Sequence, residues 1–125
     1  MAVIAIDFDG TCVKHCYPEI GESIGAEEVL LKLIAKNHRL ILHTMRTGAE
    51  LKAAVKWFKE RGIDLWGINK NPGQKYWSIS PKIHAELYID DAACGVPLII
   101  GDTLKPYVDW SRVHEWLVSN KFLEA

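Results

Sequence analysis

"AVIAIDFDGT", residues 2–11, runs an apolar segment into two aspartates one residue apart. Residues 2–6 have the unbroken hydrophobicity of a strand buried on both faces, as in a parallel sheet. Such a strand has no packing use for carboxylates at its tip. Gly10 then lets the backbone turn sharply, and Thr11 adds a hydroxyl. Short apolar runs of the same kind recur at 39–42, 86–89 and 97–100. Between the first two, Ala26, Val29, Leu30, Leu33 and Ile34 share one helical face of "AEEVLLKLIAKN". After the second, Thr47 and Glu50 have capping-box spacing, and Leu51, Ala54, Val55 and Phe58 line a helix that stops near Gly62. In "DWSRVHEWLVSNKF", Asp109 caps a stripe of Trp110, Val113 and Leu117. Alternation of this kind specifies an α/β fold, a three-layer Rossmann-like sandwich with a mainly parallel central sheet and right-handed crossovers. The seven residues 91–97 are too few for a helical crossover, so the run at 97–100 is expected at an edge or antiparallel. The stretch 63–85, with Pro72, Gly73 and Pro81, has no clean period and reads as a long loop with short elements. Loops of that length in a compact domain are usually functional.

Composition narrows the function. The 125 residues make one domain, with 49% hydrophobic and 25% charged residues, the balance of an ordinary globular chain. A net charge of −1 without a basic run argues against a nucleic-acid surface. No apolar run reaches membrane-spanning length. The start lacks a basic leader and cleavage site, and three cysteines without framework spacing suit a reducing compartment, so a cytoplasmic location is expected.

In open α/β sheets the ligand crevice lies beyond the carboxyl ends of the strands. Asp7, Thr44 and the Asp90-Asp91 pair each fall at such an end. Asp7 and Asp9, two apart on an extended chain, point to one side. Four crowded carboxylates repel one another unless a cation neutralises them, and oxygen-only donors favour Mg²⁺ over zinc. The competing reading makes these aspartates turn and cap residues. Lys82, eight residues before Asp90, is a candidate for the positive charge that a phosphoryl group would need, with Lys70 and Lys75 as rivals. Thr44 could give its hydroxyl to a phosphate oxygen. Arg46 is placed to meet the rest of a substrate, or else to make a salt bridge at the helix start.

These residues carry a family resemblance. "DFDGT" at 7–11, "ILHT" at 41–44, Lys82 and "YIDD" at 88–91 follow the order of the four motifs of the haloacid dehalogenase (HAD) superfamily of Mg²⁺-dependent phosphatases. "HCYPEIGESI" at 15–24 and "INKN" at 68–71 extend the likeness to a small capless subgroup of uncharacterised bacterial and phage hydrolases. The resemblance implies a HAD-like fold without a cap domain. It also implies Asp7 as the nucleophile that forms an aspartyl-phosphate, and Asp9 as general acid and then base. Mg²⁺ would be held by Asp7, the Asp9 main-chain carbonyl and Asp90 or Asp91, with Thr44 and Lys82 fixing the phosphate. "GDT" at 101–103 mimics a variant of the last motif, but a buried-looking strand feeds Asp90-Asp91, and Asp102 reads as a turn residue.

The function expected is a phosphomonoester hydrolase acting on a small phosphorylated metabolite. A non-hydrolytic phospho-accepting or phosphate-binding signalling domain is the alternative. With no sequence for a lid, water exclusion would fall to a large substrate, a neighbouring subunit in an oligomer, or loops 12–24 and 63–80 closing over a small ester. In that last case His15, Arg46, Asn69 and Lys70 would meet the leaving group, with Thr11 beside the phosphate. Cys12, His15 and Cys16 lack a fourth zinc ligand and read as free thiols and a loop histidine. His43, inside an apolar run, reads as a core histidine. Trp57, Trp110 and Trp116 read as packing residues, while Trp66, Tyr76 and Trp77 form a loop cluster or cover a substrate.

Overall fold

The computed structural model describes residues 1–101 and 105–125, so Asp102 lies outside the described residues. Strand β1 (Val3–Ile6) is followed by α1 (Ala26–Ala35), β2 (Arg39–Leu42), α2 (Gly48–Glu60) and β3 (Gly67–Ile68). A 3-10 turn at Gln74–Tyr76, β4 (Leu87–Ile89), β5 (Leu98–Ile99), β6 (Tyr107–Val108) and α3 (Trp110–Ser119) complete the chain. The main sheet has the order β3-β2-β1-β4 and is parallel throughout. Ile6 lies opposite Leu42 on one side and Ile89 on the other.

Alternation along β1 divides its side chains between two faces. Ile4, Ile6 and Phe8 join Leu40, Leu42 and the apolar stripes of all three helices in one buried cluster. The opposite face carries Ala5, Ile41 and Tyr88, and it takes the β3–β4 crossover, where the Tyr88 hydroxyl donates to the Ile83 carbonyl. Helices, sheet and crossover make three layers of an α/β fold, as the sequence pattern requires. Buried Gln74 organises the crossover from within. Its amide donates to the Lys82 carbonyl at 2.8 Å and its oxygen accepts from the His84 N–H at 2.8 Å.

The helix boundaries follow their local chemistry. Past α2, Gly62 at φ 70° allows the Ile63 N–H to reach the Phe58 carbonyl and its own N–H the Lys59 carbonyl, closing the helix. Asp109 caps α3 by accepting from the Arg112 N–H. Thr47 occupies the N-cap position of α2, but its side chain makes no cap hydrogen bond, so the capping box is not formed. The run at 97–100 is antiparallel, as its short link to the acidic pair requires. It contributes β5, antiparallel to β6 in a separate two-stranded sheet, with Ile100 78% exposed. The short Asp91–Pro97 link cannot carry it across to a parallel partner. Trp116 is likewise exposed, stacked on Phe122 at 5.9 Å.

Candidate active site

Main-chain bonds continue the parallel ladder one residue past the strand ends. Asp7 N–H donates to the Ile89 carbonyl at 3.0 Å, His43 N–H to Ile6 at 2.8 Å and Asn69 N–H to Leu42 at 2.7 Å. The register therefore sets Asp90, Asp7, His43 and Asn69 side by side along the carboxyl edge. Carboxylate oxygens of Asp7, Asp90 and Asp91 all lie within 4.8 Å of one another. Burial is the main reason that the Asp7 carboxyl is pushed up to about 8, and the neighbouring Asp90 charge adds to it. A hard divalent cation fits this donor set, because it offers only oxygens and would relieve their repulsion.

Thr11 is fully buried, which rules out the substrate contact expected of it. Its hydroxyl donates to Asp7 Oδ2 at 2.9 Å and accepts from the Asp91 N–H at 2.9 Å. Its carbonyl accepts from Trp110 Nε1 at 2.7 Å. Thr11 thus ties the nucleophile candidate, the acidic pair and α3 together.

Asp9 stands apart from the three-carboxylate cluster. Both of its oxygens accept from Arg46, from Nε and from one terminal nitrogen, each at 2.8 Å. The Arg46 guanidinium also donates to the Pro18, Glu19 and Glu50 carbonyls and lies 5.1 Å from the rings of Phe8 and of Tyr17. At 2% exposure it cannot meet a leaving group, so its expected substrate role is replaced by a structural one. The salt-bridge alternative for Arg46 describes it better. The same pairing takes both carboxylate oxygens of Asp9, so its side chain has no part in the cluster of Asp7, Asp90 and Asp91 expected to include it.

His15 is also redirected. Its Nε2 lies 2.9 Å from Asp91 Oδ2, so it faces the acidic cluster rather than a leaving group. Lys82 is exposed, with its amine 5.9 Å from the Tyr88 ring centre, and makes no ion pair with the cluster. Lys70 is exposed too. The Asn69 side-chain oxygen accepts from the Thr44 N–H at 2.8 Å, fixing the tip of β2. Thr44 Oγ1 accepts from the Arg46 N–H at 3.1 Å, a role that does not use its own proton. Cys12 is buried against the Asp7 carbonyl, and burial pushes its thiol up, so it is inert.

His43 is placed otherwise than its apolar surroundings in the sequence suggest. It is exposed, not in the core, and lines a shallow depression of about 220 Å³ with Ala5, Tyr88, Asp90 and Ala92. Period-2 alternation from buried Ile41 was the available signal: residue 43 shares its face, one step beyond the covered part of the sheet.

No family model and no curated protein matches the chain. A solved structure of a conserved protein coded by a locus of Bacteroides thetaiotaomicron is similar, at 38% identity and a TM-score of 0.76, over 96% of this chain and 91% of that one. Identity at that level over nearly the whole of both chains places the two in one family, to which this protein belongs together with the conserved Bacteroides protein.

Proposed function

We propose that the protein is a Mg²⁺-dependent phosphomonoester hydrolase of the haloacid dehalogenase type, working through an aspartyl-phosphate on Asp7. The observation that carries this reading is the convergence of Asp7, Asp90 and Asp91 from adjacent strand ends, with Asp7 pushed up to about 8 by burial and its acidic neighbours. A divalent cation bound there would offset the charge of both carboxylates and phosphate, and so let two anions meet. Asp7, oriented by the Thr11 hydroxyl, attacks phosphorus as the bond to the ester oxygen breaks. Water then attacks the phosphoryl group, releasing phosphate and restoring Asp7. Thr44, whose hydroxyl accepts from the Arg46 N–H, would hold a phosphoryl oxygen with its own proton. Asp9 accepts hydrogen bonds at both oxygens, the form able to take a proton from water. To protonate the leaving ester oxygen it must carry a proton on an oxygen released from Arg46, and it regains a proton from the attacking water.

That hold on Asp9 also favours a second reading, a phospho-accepting domain that turns over slowly or not at all. Acetyl phosphate and p-nitrophenyl phosphate with Mg²⁺ separate the two. Steady phosphate release, abolished in Asp7→Asn, is expected of the hydrolase. One equivalent of acid-stable, hydroxylamine-labile label on Asp7 without turnover would establish the second reading. Neither label nor release would overturn both.

A further inference from the structure

We propose that His15 is a positioning residue of the metal centre. Its ring N–H holds Asp91 so that the carboxylate faces the ion, and the excursion at 14–22 is the brace that delivers it. The inference rests on the divalent-cation reading above but not on hydrolysis.

Asp91 must stay beside two like charges, where a free carboxylate would swing toward water. Its surroundings prevent this. The main-chain N–H donates to Thr11 Oγ1 at 2.9 Å, that hydroxyl lies 3.4 Å from Oδ1, and Oδ2 has the shorter side-chain contact, 2.9 Å from His15 Nε2. The side chains of this pair are only 27% and 18% exposed. The pair also rests directly on the backbone of the turn after β1. A Cβ on Gly10 would stand 2.1 Å from His15 Nε2 and 2.6 Å from Asp91 Oδ2, so a side chain here would displace the pair, and the φ of 79° itself favours glycine. The ring nitrogen is not among the atoms that approach one another within 4.8 Å, which are those of Asp7, Asp90 and Asp91. His15 therefore orients a ligand and is not itself one.

The excursion that carries His15 is tied along its length. Val13 bridges Asp9 and Ser23. Lys14 N–H donates to the Glu22 carbonyl at 2.9 Å, and Gly21 packs so closely on the Lys14 carbonyl that a Cβ would lie 2.0 Å from it. In the middle, Arg46 donates to the carbonyls of Pro18 and Glu19 and lies against the Tyr17 ring. A segment held at both ends and at its centre presents its histidine in a fixed place. Carboxylate ligands need such outer partners, whose loss commonly weakens metal binding about 10–100-fold.

The test is Mn²⁺ titration of chelator-treated protein, followed by loss of the free-ion paramagnetic resonance signal. Wild type is compared with His15→Ala, His15→Phe and His15→Gln, with thermal melts of the metal-free proteins alongside. Affinity should fall about 10–100-fold in His15→Ala and in His15→Phe, which keeps a ring but no N–H. It should largely return in His15→Gln, which restores a donor. Bound Mn²⁺ should show no imidazole nitrogen coupling. Wild-type affinity in His15→Phe, affinity in His15→Gln as weak as in His15→Ala, or a directly coupled imidazole would each overturn the proposal. Wild-type protein that binds no Mn²⁺ at millimolar concentration would overturn the metal centre itself, a different failure and separately visible.

Discussion

Arg46 has its guanidinium donors directed at Asp9 and three main-chain carbonyls, and it is all but sealed from water. Arg46→Ala would strand the Asp9 charge and three carbonyls, and we expect a loss of about 3 kcal/mol or more in urea unfolding. Arg46→Lys should rescue little of this, because an ammonium cannot reproduce the planar fork. At Asp7 the linkage runs the other way from most aspartates. Its folded value, raised from 3.8 to about 8, means that the native state holds this proton more tightly than the unfolded chain. The contribution is whole below about pH 4, is lost as pH rises toward 8, and is constant above. Metal-free protein should therefore lose stability across that window relative to Asp7→Asn, and saturating Mg²⁺ should reduce the difference. An equal pH slope in both proteins would contradict the raised value. Asp7, Asp90 and Asp91 were legible in the sequence because each ends an apolar run. The partners of Asp9 and Asp91 were not, since Arg46 and His15 reach them through loop geometry that leaves no periodic trace.

Strands β1, β2 and β4 and all three helices sit where their apolar patterns place them, because each pattern reports a single buried face. Elements without such a face were harder to read. β3 is two residues inside the 63–85 stretch, and β5–β6 is a two-stranded sheet whose Ile99 is 39% exposed. Capping shows the limit of motif spacing: Asp109 caps α3 and Thr47 does not cap α2, although both have the right residue type at the right place. Asp109→Ala should thus cost about 1 kcal/mol in chemical denaturation, whereas Thr47→Ala should cost a few tenths at most. Comparable losses in the two variants would mean that the Thr47 side chain caps its helix in solution.

A cation bound only by the folded protein should stabilise the molecule as a whole. At a hundredfold excess over Kd we expect about 2.7 kcal/mol, read as a higher melting temperature and reversed by chelator. Asp90→Asn and Asp91→Asn should each blunt the response, and a melt indifferent to Mg²⁺ in wild type would refute the site. The two ends of the chain also meet. His38 Nδ1 accepts from the Ala2 N–H at 3.0 Å, and its Nε2 lies 2.8 Å from the Phe122 carbonyl, so a single imidazole separates the first strand from the C-terminal tail. A short Gly-Ser linker could therefore join residue 125 to residue 2 and allow the chain to be reopened elsewhere. A circular permutant with new termini at Ser78 and Ile79, where Ile79 is fully exposed, should fold cooperatively and keep its response to Mg²⁺. One reopened between Glu19 and Ile20 should lose that response first, because the cut falls inside the segment that holds His15 against Asp91.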